Sequence, residues 1–308
     1  VKVTVNSIRL KYLYEAQRYS TMNAASEAMD VAPSSVTRQI AALEKELGVE
    51  MIEKGRRGIK LTEAGILAVN HYAERCAQEE VFLSQLDSLK RLRSGTVKIA
   101  IGEGFVSDDF SRIINNFLAE YDGIVVDILL AKTNHISDLV KEDEIHFGLI
   151  FDTPKDPKIR TKAEFDQPIK AILPPNHPLA SRKSLKLEEI AQEKIALPNK
   201  SYRIRQIIDR TDTFLEPKLT SNSLHLLREY VKTENAITFM PEIAVFKDLV
   251  SEQIVSRPTD NPILNSTKIS LITRLGRQLP VTADILLQLV RNHLTSTLNQ
   301  ISKVSSVS

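Results

Sequence analysis

Apolar residues recur every three or four positions through the first hundred residues, then switch to short runs separated by turns. In Ser7–Arg18, Leu10, Leu13 and Tyr14, with Ile8 and Gln17 nearby, predict one helix. Thr21 is placed to cap the next, whose inner face is Ala24, Ala25, Ala28 and Met29. Asp30-Val31-Ala32 breaks the pattern, and Pro33 opens a third helix, where its missing N–H costs nothing. Val36, Ile40 and Leu43 line one side of that helix; Ser34, Ser35, Thr37, Arg38 and Gln39 occupy the other, and Gly48 is a candidate C-cap. From Thr62, a natural N-cap, to Arg93 there is neither proline nor, after Gly65, glycine. A helix of about 30 residues would reach about 45 Å, more than a domain of this size needs for its own core. Val69, Cys76 and Leu83, seven apart, with Tyr72, Leu86 and Leu89 beside them, form a coiled-coil-like seam.

Beyond a hinge at Arg91 to Gly95, strand and helix patterns alternate. Strands are predicted at residues 96–101, Ile124–Leu130, Phe147–Phe151, Ile169–Leu173, Ala236–Met240 and Ile269–Thr273. Helices are predicted at Asp109–Tyr121, Ile136–Glu142, Arg203–Thr213, Ser223–Lys232 and Val281–Leu298. The alternation implies a mostly parallel sheet with helices on both faces. Pro154, Pro157, Pro168, Pro258 and Pro262 divide this part into two subdomains, joined by crossings near 160–167 and 264–270.

The polar side of the third helix carries what a major-groove helix needs: Arg38 can pair with guanine, Gln39 with adenine, and the hydroxyls of Ser34, Ser35 and Thr37 can meet phosphates or base edges. Taken alone, the same pattern also fits an amphipathic surface helix. Lys54-Gly55-Arg56-Arg57-Gly58-Ile59-Lys60 is a cationic loop between apolar residues, suited to resting on phosphates; a solvated charged turn is the plainer alternative.

Ala25 through Val31, Val36-Thr37-Arg38-Gln39-Ile40, Leu43-Glu44, Leu47-Gly48 and Leu61-Thr62-Glu63-Ala64-Gly65 match, in order, the DNA-binding domain of LysR-type transcriptional regulators, and the chain resembles that family. Departures are Ala32-Pro33-Ser34 where Ser-Gln-Pro is usual, Met51-Ile52 for Leu-Phe, and Lys54 for Arg. The resemblance extends through Val97-Lys98-Ile99-Ala100-Ile101-Gly102, Gly148-Leu149-Ile150, Asn176-His177-Pro178-Leu179-Ala180, Asn222-Ser223 and Ile237-Thr238-Phe239-Met240-Pro241, with Glu234-Asn235-Ala236 standing where a Gly-x-Gly turn is common. It implies an α then α/β chain. A winged helix-turn-helix would span residues 1–65 and a dimerising linker helix 62–94. A two-subdomain effector domain like the type 2 periplasmic binding proteins would span 95–301, with subdomain I at 95–164 and 268–301 and subdomain II at 165–267. It further implies double-stranded DNA with a pseudo-palindromic site as partner, a homodimer assembling into a dimer of dimers, a small-molecule effector, and RNA polymerase as a candidate contact.

Composition narrows the remaining classes. The 308 residues suit two or three domains, and 42% hydrophobic content suffices for real cores. A net charge of +2 requires any DNA affinity to be local. The single Cys76 excludes an internal disulfide framework and fits a reducing cytoplasm; no apolar run suits a membrane span, and Val1 to Leu10 lacks a signal-peptide core. His71, His135, His146, His177, His225 and His293 are scattered without metal-site spacing, so no metal, cofactor or catalytic group is expected. Gly102-Glu103-Gly104 lacks the third glycine of a dinucleotide fingerprint, which sets aside a nucleotide-dependent enzyme; a solute-binding protein would leave the N-terminal region unexplained.

In an open α/β sheet, ligands bind at the carboxyl ends of strands. Those ends supply Glu103, Gly104, Phe105, Thr133, Asn134 and Phe151 from the first subdomain, and Ser201, Tyr202, Arg205, Asn222, Ser223 and Phe239 from the second. The set suits a small polar or carboxylated ligand. Each hydroxyl is equally well a helix cap, and Arg205 could pair with Glu103 or with a surface carboxylate.

Overall fold

The computed structural model describes residues 5–53, 58–89, 95–153 and 156–307. It divides into two compact units, Val1–Leu83 and Ser84–Ser308. The predicted wing residues Lys54, Arg56 and Arg57, and the last turn predicted for the long helix, lie outside the described residues.

The first unit holds α1 (Ser7–Arg18), α2 (Met22–Ala28), α3 (Pro33–Leu47) and most of α4 (Glu63–Leu89). Asn6 caps α1 and Thr21 caps α2, each accepting a backbone N–H with its side chain. The inward stripes of these helices meet in one core of Leu10, Leu13, Ala16, Ala25, Val36, Ile40, Leu43, Met51 and Val69. Gly48 ends α3 in the left-handed conformation, and its N–H bonds to Glu44 O. Ile52 and Leu61 form an antiparallel bridge, and Glu53 N donates to Lys60 O at 2.8 Å, closing the base of a wing. Thr62 then caps α4, its Oγ1 accepting from Gly65 N. The opening turns of α4 belong to this core through Ala64, Ala68, Val69 and Tyr72, so the long helix is not solely a linker. Farther along it Cys76 is exposed in the single chain, and Leu83 is 54% exposed.

Glu44 explains the Leu43-Glu44 pair. Its Oε1 accepts from Met51 N at 2.7 Å and from Ile52 N at 3.3 Å, fastening the wing to the back of α3. Glu44→Ala strands two backbone donors and is expected to destabilise the first unit by about 1–3 kcal/mol. A thermal melt of the full chain should show the loss; an unchanged melt would remove this fastening from the account.

The second unit runs β1 (Gly95–Ile101), α5 (Asp108–Glu120), β2 (Ile124–Leu130), α6 (Thr133–Lys141), β3 (Phe147–Phe151), β4 (Ile159–Asp166) and β5 (Ile169–Leu173). It continues through α7 (Leu187–Ile190), β6 (Ala196–Pro198), α8 (Arg203–Ile208), β7 (Leu219–Ser221), α9 (Leu224–Glu234), β8 (Thr238–Pro241), α10 (Phe246–Val250), β9 (Val255–Arg257), α11 (Pro262–Asn265), β10 (Lys268–Arg274) and α12 (Val281–Val307). The helix expected at Arg203–Thr213 stops at Ile208, and the one expected from Ile136 starts at Thr133.

One sheet has the order β2-β1-β3-β10-β4; a second has β8-β5-β9, and β6 and β7 form a parallel pair. The expectation of a mostly parallel arrangement is corrected. β10 is antiparallel to both β3 and β4, and β8 and β9 are antiparallel to β5. In the five-stranded sheet, the unpredicted β4 bears on this. It follows β3 without a crossover helix, so it cannot become β3's parallel neighbour, and β10 enters between them. Ile159, Ala163 and Phe165 face inward at an exposed edge, while the charged residues between them read as a connection.

The two crossings between the sheets lie side by side. Gln167 N donates to Thr267 O at 2.9 Å, and Thr267 Oγ1 donates to Gln167 O at 2.7 Å. Both residues are buried, so any relative motion of the two subdomains must turn about this doubly bonded pair. Asn235 caps α9 in the left-handed conformation with φ of 50°, which an asparagine tolerates. His146 accepts from Lys98 N through Nδ1 and is a structural residue.

Candidate DNA face and effector cleft

In the first unit, Pro33, Ser34, Thr37 and Arg38 are exposed and Ser35 and Gln39 half-buried, all on the side of α3 away from Val36, Ile40 and Leu43. Ala32 offers no side-chain cap, so the positive end of α3 has no acceptor of its own from that residue. Such an end suits a phosphate. Thr37 Oγ1 donates to Pro33 O at 3.3 Å, leaving its lone pairs outward. No described residue forms an ion pair with Arg38, whose guanidinium is therefore available to a base or phosphate. Lys60 is tied to Glu53 at 2.8 Å, a half-exposed pair of the weak kind that a phosphate can displace.

In the second unit, a cleft lies between the two sheets. Its lining includes Glu103, Gly104, Phe105, Thr133 and Phe151 from the first subdomain and Tyr202, Arg203 and Leu224 from the second. The chain leaves β1 through a single tight turn, Glu103–Phe105, which aims the Glu103 carboxylate across the gap. There Oε1 accepts from Leu224 N at 2.9 Å and from Ser223 Oγ at 3.4 Å, and Oε2 accepts from Tyr202 OH at 2.8 Å. Burial, and then the bond to Glu103, push the Tyr202 hydroxyl well above its ordinary pKa, so it stays a donor. A second tie crosses beside it: Arg203 holds Asp152 at 2.7 Å through Nε and again through its terminal nitrogen. Lys132 Nζ lies 5.6 Å from the centroid of the Tyr202 ring, within cation–π range. Thr133 Oγ1 donates to Phe151 O at 3.0 Å, joining the start of α6 to the end of β3 and leaving only lone pairs for a ligand.

Six of the expected residues thus meet at the cleft: Glu103, Gly104, Phe105, Thr133, Phe151 and Tyr202. Ser223 reaches it through Glu103, and Asn222 only through its carbonyl, which lies 2.6 Å from Tyr202 OH. The others stand elsewhere. Phe239 is fully buried in the core and is absent from the cleft lining. Arg205 is buried and paired with the exposed carboxylate of Asp209, the surface-carboxylate alternative, rather than with Glu103. Ser201 bonds to Asn199 in its own turn, and Asn134 is exposed on α6 outside the lining. Lys132 and Arg203 were not anticipated, although each directly adjoins a chosen residue.

Among the described residues no cluster could hold a metal ion, and no helix is long and apolar enough to cross a membrane.

Comparison with known proteins matches both parts of the chain to one family. Residues 8–66 match the bacterial regulatory helix-turn-helix protein, lysR family, and residues 90–295 match the LysR substrate binding domain. The chain is 25% identical over 281 residues to the transcriptional dual regulator GltC of Bacillus subtilis, covering 90% of this chain and 93% of GltC. It is 27% identical over 210 residues to the RuBisCO operon transcriptional regulator of Allochromatium vinosum, covering 66% and 68%. Among solved structures, a variant of full-length OxyR from Pseudomonas aeruginosa superposes with a TM-score of 0.59 at 19% identity, over 94% of this chain and 95% of that one. Full-length BenM superposes with a TM-score of 0.53 at 19% identity, over 94% and 97%. With a helix-turn-helix at its start and the matched effector-binding domain filling most of the remainder, the chain belongs to the LysR family of transcriptional regulators.

Proposed function

We propose that α3 reads base edges in the major groove, that α4 pairs with its copy in a second chain, and that the cleft takes a small polar or carboxylated effector. One observation carries this reading: α3 buries Val36, Ile40 and Leu43 and leaves Ser34, Thr37 and Arg38 outward at an uncapped helix end. The exposed Phe82 and Leu83 on α4 support pairing of two long helices. On this reading residues 1–65 bind DNA, 62–94 join two copies, 95–301 sense the effector, and dimers associate in pairs in the cytoplasm, with RNA polymerase as a further contact. The effector changes DNA geometry only by binding one arrangement of the subdomains better than another.

Selection of genomic fragments by the purified full chain, with and without a metabolite mixture, tests the proposal. Enriched fragments should share a pseudo-palindrome whose half-sites lie a whole number of turns apart. Fragments without a common element would overturn it. Replacing Arg56 and Arg57 together by alanine should weaken binding to every duplex alike and lower the salt slope by about two, one for each phosphate no longer neutralised. A slope identical to that of the unmodified chain would take the wing off the DNA.

A further inference from the structure

We propose that Glu103 is an internal occupant of the cleft: carried by one subdomain, its carboxylate sits in the anion seat of the other, holds the two together without a ligand, and is the group an anionic effector must displace. The seat is the first turn of α9, where the N–H of Leu224 and the hydroxyl of Ser223 converge, completed by Tyr202 OH from the neighbouring turn. These are the donors a ligand carboxylate would seek, and all three already face Glu103. The helix has eleven residues, enough for its end to favour a negative charge.

Two further features show that the lobes are already drawn together. The free cavity within the cleft is only about 50 Å³, room for a water or two and far below the 300 Å³ or more of ordinary ligand sites. Gly104, next in sequence, packs against the other lobe: a Cβ there would lie 3.2 Å from Ala244 Cβ and 3.5 Å from Leu224 Cδ1. Glycine at 104 thus lets Glu103 reach across. The Asp152–Arg203 pair and the exposed Asp108–Lys247 pair also cross between the lobes, but each joins two side chains rather than a side chain and a helix end. Of these ties among the described residues, the Glu103 contact is the one with the geometry of a bound anion. The proposal depends on the effector reading for what finally displaces Glu103; the seat and its occupant follow from the distances alone.

Chemical rescue tests it on the full chain without DNA or effector, so a failure of DNA binding leaves the result readable. In Glu103→Ala, the Leu224 amide should exchange with solvent about tenfold faster or more, as the loss of a charged acceptor predicts. Acetate, compared with chloride at equal ionic strength, should restore protection in the variant and leave the unmodified chain unchanged. Glu103→Gln, which keeps one acceptor of the same shape for Leu224 N, should fall between the two. Unchanged protection in both variants would overturn the proposal. Loss of protection in Glu103→Ala that acetate does not repair would overturn it as well, because the seat would then have no affinity for a free carboxylate.

Discussion

Gly65→Ala should lower the melting temperature of the full chain and abolish its binding to DNA. A Cβ at position 65 would lie 2.1 Å from Met51 O and 3.2 Å from Leu61 Cβ. The obstacle is backbone, and it cannot rotate away. Met51 O is also the acceptor for Thr62 N, and Met51 N is held by Glu44, so the strand entering the wing is fastened at both of its polar groups. Relief requires α4 to lift from the core it shares with Leu43 and Met51. Overpacking of this kind costs about 1–3 kcal/mol. The wing and α3 would lose their relative placement with it, because α4 and Glu44 are what set it. Calorimetry of the full chain and a filter-binding titration check the two halves of this expectation. An alanine variant that melts and binds as the unmodified chain does would mean that the close packing of α4 on the wing is not needed.

Arg38→Ala should cost sequence discrimination rather than stability. Arg38 is exposed, lies on the outward side of α3 and has no carboxylate partner among the described residues, so its truncation leaves the packing of the first unit intact. If its guanidinium pairs with a guanine edge, its removal costs about 1–3 kcal/mol at that base pair, a drop of about tenfold to more than a hundredfold in affinity for the preferred duplex. Affinity for random duplex should fall far less. Competition between the two duplexes at fixed ionic strength separates the outcomes. Equal loss on both would assign Arg38 to phosphate, leaving base reading to Gln39 and the hydroxyls of Ser34, Ser35 and Thr37.

How much of this was legible in the chain depends on what each signal encodes. Periodicity and caps are local, and they located α3, the Thr62 cap and the left-handed Gly48 closely. The crossings were expected near 160–167 and 264–270 because prolines and exhausted strand patterns mark where a sheet ends; Gln167 and Thr267 fall inside those ranges, but most of the first range is the strand β4. The edge strand β4 was missed because its charged residues fill the exposed face that an edge strand leaves to solvent. Cleft residues were hardest. A strand end places a backbone without showing which of its side chains the fold covers, which is how Phe239, fully buried in the core, came to be counted in the cleft. On α8 the same limit separates Arg203 from Arg205: two positions along a helix differ by about 200°, so one faces Asp152 across the gap and the other Asp209 on its own helix. Nothing in the sequence indicated that Glu103 would meet Tyr202 and Leu224, about a hundred positions away; that pairing exists only once the lobes are folded together.

The most direct measurement is the ratio of affinities of the purified full chain for a duplex selected from genomic fragments and for a random duplex of equal length at the same salt. With α3 seated in the groove in two copies, the ratio should be about a thousand or more at roughly physiological salt. A ratio near one would contradict the account.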